Sequence, residues 1–252
     1  MKPIALVTGA TSGIGKATAI RLAEAGYRLI LVGRREERLD QLQAEIQGKT
    51  QVLCICLDVR LHEEVEAKLG HLPAEWSEVD VLINNAGLAA GLDPIQDGDI
   101  NDWDRMIDTN IKGLLYVTRC IAPAMCKRGR GHIVNLGSIA GKQVYANGNV
   151  YCATKHAVDA LSKGMRIDML PYGVKVTQIC PGAVETEFSL VRFHGDQERA
   201  DNVYKGFEPL TGQDIADCIV AALSLPHNIC VNDMVVMPKA QADGCNFNRK
   251  HE

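Results

Sequence analysis

No stretch of this 252-residue chain approaches the roughly 20 consecutive apolar residues that a membrane-spanning helix needs. The N-terminus runs straight into Ile4-Ala5-Leu6-Val7, too short for the apolar core of a secretion signal and followed by glycines rather than a cleavage site, so a cytoplasmic protein is expected. Neither charge dominates. Lys and Arg number 27 against 31 Asp and Glu, a formal net charge of −4, which gives no reason to expect nucleic acid or an anionic membrane as partner. There is no Pro/Ser-rich linker, charge block, low-complexity run or fixed-period repeat, so residues 1–252 are expected to form a single domain. The nine cysteines are odd in number and scattered. Cys54 and Cys56 alternate on an apolar strand pattern, but no second pair completes a zinc motif, so reduced thiols and no metal are expected.

What is present is a regular alternation. Short apolar runs fall at Ile4–Val7, Arg28–Val32, Gln51–Leu57, Val79–Ile83, His132–Leu136, Val174–Cys180 and Val231–Met237. Most are β-branched or leucine-rich without strict alternation, as expected of parallel strands buried on both faces. Between them lie helical patterns at Ile14–Ala25, Glu36–Ile46, Asp102–Cys126, Val150–Leu170 and Gln213–Leu223. This is the pattern of an α/β, single-domain Rossmann-type doubly wound fold, with a central parallel sheet of about seven strands, helices on both faces and ligands at the carboxyl ends of the strands.

The strand ends carry the candidate chemistry. The first leads into Thr8-Gly9-Ala10-Thr11-Ser12-Gly13-Ile14-Gly15, whose glycines permit a tight turn and let backbone N–H groups approach a pyrophosphate at the start of the next helix. The second ends Gly33-Arg34-Arg35. An NAD-binding version would place a carboxylate near Gly33; two guanidinium forks suit a 2′-phosphate instead, so NADP(H) is expected. The third closes on Asp58-Val59, where Asp58 either accepts from an adenine amino group or caps the next helix. The fourth closes on Asn84-Asn85-Ala86-Gly87, small and amide residues that allow close backbone approach and bonds to neighbouring strands.

The pattern at 102–126 puts Trp103, Met106, Ile107, Leu114, Val117 and Ile121 on one stripe, with Asn110 among them. An unpartnered buried amide costs about 1–3 kcal/mol, so Asn110 should be tied to something. Pro123 is expected to kink or end that helix. The fifth strand brings Ser138 to the same edge. Tyr151 and Lys155, four apart, share a helix face, and an ammonium beside a phenol lowers the pKa of the phenol from about 10 towards neutrality. Ala153, Ala157, Ala160 and Gly164 make a small-residue row that should pack tightly against the sheet or a partner helix. The sixth strand exits through Pro181-Gly182-Ala183-Val184-Glu185-Thr186 into an irregular stretch, about 185–208, expected to be a substrate lid. It carries Arg192, the cation we expect to pair with a substrate carboxylate, and His194, expected to be a surface histidine.

In this order, TGATSGIG (8–15), NNAG (84–87), Asn110, Ser138, YCATK (151–155) and PGAVET (181–186) resemble the short-chain dehydrogenase/reductase family over essentially the whole chain. TEFSLVRFHGD (186–196), Pro-Ala-Glu-Trp at 73–76 and the GNVY entry to the catalytic helix look like its branch of NADP-dependent 3-hydroxy acid dehydrogenases, which act on serine and allo-threonine and reduce malonic semialdehyde. The resemblance implies that Tyr151 is the catalytic acid/base, that Lys155 lowers its pKa and holds the nicotinamide ribose, that Ser138 orients the substrate oxygen, and that Asn110 holds a water feeding a proton relay. It implies cofactor contacts in the 9–15 loop, at Asn85, Ala86 and Gly87, and at Pro181, Gly182, Val184 and Thr186. It also implies a homotetramer with two long central helices forming the larger interface. Two other readings stand beside it: a broad reductase of uncharged aldehydes and ketones, and a non-enzymatic nucleotide sensor, which would be expected to lack part of the Ser/Tyr/Lys set that is complete here.

Overall fold

The computed structural model describes residues 2–250. The seven apolar runs become β1 (Ile4–Thr8), β2 (Arg28–Gly33), β3 (Val52–Cys56), β4 (Val81–Asn84), β5 (Gly131–Leu136), β6 (Val174–Pro181) and β9 (Asp233–Val236), and a separate pair is formed by β7 (Val184–Glu185) and β8 (Leu210–Thr211). The large sheet has the order β3-β2-β1-β4-β5-β6-β9, with every pairing parallel. The order in which the chain adds strands reverses between β1 and β4, so the loops leaving these two parallel strands diverge and open a crevice at their carboxyl ends.

Both faces of the sheet are covered. Ile4 and Leu6 of β1 face one layer, with Leu82, Val117, Ile121, Ile133 and Val158; Ala5 and Val7 face the other, with Leu22, Leu39, Leu42, Ile215 and Ile219. Burial on both sides is the reason the strands read as continuous apolar runs. The first layer is built from α3 (His62–Leu69), α5 (Leu114–Arg128) and α6 (Asn149–Met169), the second from α1 (Gly13–Glu24), α2 (Glu36–Ile46) and α9 (Gly212–Ser224). The helix α3 shows no apolar period that would give its bounds, because only Val65 and Leu69 of its eight residues are buried.

The single helix expected over 102–126 is interrupted. It is α4 (Ile100–Ile107), then a π-helical turn at Asp108–Gly113, then α5. The wider turn rotates the stripe, so Ile107 points outward at 36% exposure instead of joining the core. Nor does Pro123 end the helix, which continues to Arg128 and stops at Gly129 with φ 69°. The proline lies on the exposed side, where the carbonyl it leaves unbonded can turn to water. The row Ala153, Ala157, Ala160 and Gly164 does not face the sheet; Thr154, Val158, Ser162 and Met165 are the buried face of α6. The stretch after β6 is less irregular than expected, since it contains α7 (Phe188–Arg192) and α8 (Gln197–Tyr204) between β7 and β8.

Candidate active site

A cleft of about 320 Å³ opens at the switch point. Its phosphate end is the 9–15 loop. Gly9 and Gly13 have φ of 65° and 50°, conformations that glycine adopts without strain. The N-cap of α1 is Ser12, whose side chain makes no capping bond, and the first turn holds no carboxylate. Its backbone N–H groups and the positive end of the helix are therefore available to an anion, which fits a pyrophosphate. Gly15 does not line the cleft; it lets the helix close on the strand, because a Cβ there would lie 2.2 Å from the Gly9 carbonyl oxygen. Thr8 Oγ1 accepts from the backbone N–H groups of Asn85 and Ala86, each at 3.0 Å, and Asn85 Nδ2 donates to the carbonyls of Thr8 and Gly9 at 2.9 and 3.1 Å. This stitch closes β4 onto β1.

At the far end lie Gly33, Arg34, Arg35, Asp58 and Val59. A Cβ on Gly33 would meet Thr11 Cγ2 at 2.6 Å, so a carboxylate side chain at the position expected to bear one for NAD would have to displace Thr11. Arg35 Nη2 donates to the hydroxyls of Thr11 and Ser12 at 3.2 and 3.0 Å, while Arg34 is mostly exposed and 3.8 Å from Asp58. Asp58 is not a helix cap. Its carboxylate takes the Arg60 backbone N–H and, at 2.6–3.1 Å, the Arg60 guanidinium; burial pushes its pKa up, but these bonds outweigh it and hold the group below its ordinary value.

At the reacting end the structure brings Ser138, Tyr151 and Lys155 together with Gly87, Pro181, Gly182, Val184 and Thr186. Lys155 Nζ donates to the Leu136 carbonyl at 2.8 Å, and burial pulls its pKa down to about 8. The expected lowering of the Tyr151 pKa by Lys155 is not what the chain alone produces. Burial pushes the phenol above its ordinary value, Tyr145 adds to the rise, and the opposing pull comes from Arg192 and Ser138. The Lys155 ammonium lies 6.0 Å from the ring centroid and points at Leu136, whereas the Arg192 guanidinium lies 4.9 Å from that centroid.

Asn110 is buried behind the cleft in the π-helical turn. Its Oδ1 accepts from Leu88 N at 2.8 Å, and its Nδ2 donates to the Leu88 carbonyl at 2.8 Å and to Thr154 Oγ1 at 3.0 Å. The amide thus acts as a strand partner for the loop after Gly87. A Cβ on Gly87 would stand 3.2 Å from Asn110 Oδ1 and 3.6 Å from Lys155 Nζ, so both polar atoms border that glycine. Arg192 does not line the cleft; Nη2 donates to Tyr145 Oη at 2.6 Å, and its Nε is buried without a partner.

Several residues at the site were not anticipated. Glu187 accepts from Arg38 at 2.6 Å and from Arg35 at 3.2 Å, tying the start of α7 to the start of α2. Phe188 and Val191 of α7 line the cleft, with Phe188 edge-on to Tyr151 at 5.6 Å. A five-residue helix gives too short a period to reveal this from sequence. Tyr145 lies between motifs, and only folding brings it to Arg192. Among the described residues, no group of three or more His, Cys, Asp or Glu is placed to hold a metal.

Residues 3–196 match the family model of the short chain dehydrogenases. An NADP-dependent 3-hydroxy acid dehydrogenase of Salmonella typhi is 47% identical over 240 residues, which cover 95% of this chain and 96% of that one. Sulfoacetaldehyde reductase 2 of Chromohalobacter salexigens is 46% identical over 243 residues, 96% of each chain. The solved closed form of serine dehydrogenase complexed with NADP+ superposes with a TM-score of 0.93 at 42% identity, covering 99% of this chain and 100% of that one. A glycine cradle, a Ser/Tyr/Lys cluster and likeness along the whole length agree: the chain belongs to the short-chain dehydrogenase family.

Proposed function

We propose that this chain is an NADP-dependent oxidoreductase that moves a hydride reversibly between the nicotinamide and the 3-hydroxyl carbon of small 3-hydroxy acids such as serine, allo-threonine and 3-hydroxyisobutyrate. The observation that carries the substrate class is the Arg192 guanidinium 4.9 Å from the Tyr151 ring. A cation beside a buried proton-transfer group suits a substrate with an anion near its reacting carbon. The relatives support this, since a 3-hydroxy acid and sulfoacetaldehyde each carry an anionic group one carbon from the reacting carbon.

The 9–14 turn, Arg34, Arg35, Asp58, Val59, Asn85, Ala86, Gly87, Tyr151, Lys155 and the 181–186 segment would hold the dinucleotide, which when bound would supply the hydride donor or acceptor. The chain manages the proton and the geometry. In reduction Tyr151, kept protonated by burial, gives its proton to the carbonyl oxygen that Ser138 orients. In oxidation the phenolate takes the hydroxyl proton, and the ammonium of Lys155 and the guanidinium of Arg192 are the charges that make this form accessible. Asn110 Oδ1 and Lys155 Nζ flank Gly87, where a bridging water would relay the proton onward. The lid is about 185–208, anchored through Glu187 and presenting Phe188 and Val191 to the substrate.

The working form is a cytoplasmic homotetramer with α5 and α6 in the larger interface. In support, the small-residue row of α6 has nothing within 4 Å of a Cβ at Gly164, and Ile167 and Leu170 are 73% and 75% exposed. No described helix is long and apolar enough to cross a membrane.

Arg192→Leu tests the substrate assignment. A charge-assisted hydrogen bond is worth about 1.5–3 kcal/mol, so KM for serine or 3-hydroxyisobutyrate should rise about 10–100-fold. An unchanged KM would remove Arg192 from the substrate site. A panel of hydroxy acids, sulfoacetaldehyde and uncharged carbonyls, run with NADP and NAD side by side, tests the rest. Removing both charges with Arg34→Leu and Arg35→Leu should lower kcat/KM for NADP by about 100-fold or more and change that for NAD little. A wild-type preference for NAD would refute the roles given to both arginines.

A further inference from the structure

The carboxylate of Asp102 is an oddity of α4. It lies on the buried face of the helix beside Met106, its side chain only 7% exposed, where packing alone calls for an apolar residue. Oδ1 accepts from Arg105 at 3.1 Å. Oδ2 lies 2.9 Å from Nε2 of His194, the exposed residue two positions after Arg192. His194 stands in the left-handed backbone region at φ 54°, which non-glycine residues rarely adopt unless their surroundings enforce it. A second bond joins the same two elements: Gly91 N donates to the Arg192 carbonyl at 2.9 Å. A Cβ on Gly91 would sit 3.2 Å from Asp102 Oδ2, so a larger residue there would crowd the carboxylate that receives His194.

We infer that Asp102 and His194 form a latch that fixes the C-terminal end of α7 and so sets the position of the Arg192 guanidinium over the substrate site. The two ends of α7 are then held differently. Glu187 ties its start to the arginines at the cofactor end, and the latch ties its finish to the loop after Gly87 and to α4. Asp102 and His194 touch neither cleft nor substrate; they are positioning residues that act through Arg192. The inference rests on the role proposed for Arg192.

His194→Ala removes the lid half of the latch from an exposed position, so folding should be unaffected. KM for serine should rise about fivefold or more and by a larger factor than kcat falls, because Arg192 serves the substrate anion first and the Tyr151 phenolate second. KM for an uncharged carbonyl and the Kd for NADPH, read by fluorescence titration, should stay within about twofold. His194→Lys, which also brings an N–H to the carboxylate, should restore most of the loss. In an Arg192→Leu background, His194→Ala should add nothing further, because the group it positions is gone. An unchanged KM in His194→Ala, equal losses for charged and uncharged substrates, no rescue by lysine, or additive effects in the double variant would each overturn the latch. If Arg192→Leu raises KM and His194→Ala does not, the latch fails and the substrate reading stands; if Arg192→Leu has no effect, both fall.

Discussion

Tyr151→Phe should lower turnover by about 10³-fold or more while leaving the Kd for NADPH within a few fold. The phenol is the group assigned to give a proton to the carbonyl oxygen and take it back, and a positioned acid/base contributes about 10²–10⁴-fold. The environment sharpens this expectation. Burial raises the phenol pKa, so the group arrives protonated; from the ordinary value of about 10 the phenolate near neutrality already takes about 4 kcal/mol from neighbouring charge, and burial adds to that. Phenylalanine keeps the ring that packs edge-on to Phe188 and under Arg192, so the site should keep its shape. Steady-state rates with serine and NADP, paired with fluorescence titration of NADPH, separate the two effects. Retained turnover would refute the mechanism, whereas lost NADPH binding would show that the variant had damaged the cleft instead.

Gly15→Ala should be the most damaging single-methyl change in the cofactor loop. The added Cβ would lie 2.2 Å from the Gly9 carbonyl oxygen and 2.4 Å from Asn85 Nδ2, so backbone must move. Moving it breaks the two bonds by which Asn85 closes β4 onto β1. Overpacking of this kind costs about 1–3 kcal/mol, and each lost hydrogen bond about 1 more. The better helix propensity of alanine returns only about 1 kcal/mol, so the net loss should be about 2–4 kcal/mol. For a chain of this size that lowers Tm by about 5–15 °C. NADPH affinity should fall more than about tenfold, because the same turn aims the N–H groups of the first turn of α1. Thermal unfolding with and without NADPH reads both. An unchanged Tm would mean that the turn tolerates a side chain and that the close approach is not what this glycine provides.

Most of the residues expected to hold the cofactor line the cleft, and they were legible because each sits within a few residues of a strand end. In a doubly wound sheet every strand delivers its carboxyl end to one edge, so the motif order fixed which residues meet. Thr8, Asn84 and Asn135 show the same logic in the core: Asn84 Nδ2 donates to Asn135 Oδ1 at 3.0 Å because β4 and β5 are neighbours in register. Local signals failed where a tertiary contact overrode them. The π-helical turn at Asp108–Gly113 leaves no trace in a 3.6-residue period, yet it places Asn110 against Leu88 and Thr154. Pro123 reads as a breaker from its missing N–H and its ring, yet on the exposed face the helix runs on past it to Arg128.

The amino-acid sequence by itself determined the α/β class, the seven strands, the glycine cradle, the arginines in place of a carboxylate, and Tyr151 with Lys155 on one helix face. These follow from periodicity and from contacts a few residues apart. Only the tertiary structure decided the electrostatics around Tyr151, since burial and Arg192 come from segments distant in sequence, and a pKa depends on where charges end up in space. It alone showed Glu187 bound to Arg35 and Arg38, and Asp102 beneath His194, a pair 92 positions apart by their numbers (194 less 102) and 2.9 Å apart in the fold. Such pairings leave no periodic mark, because the chain between them does the work of bringing them together.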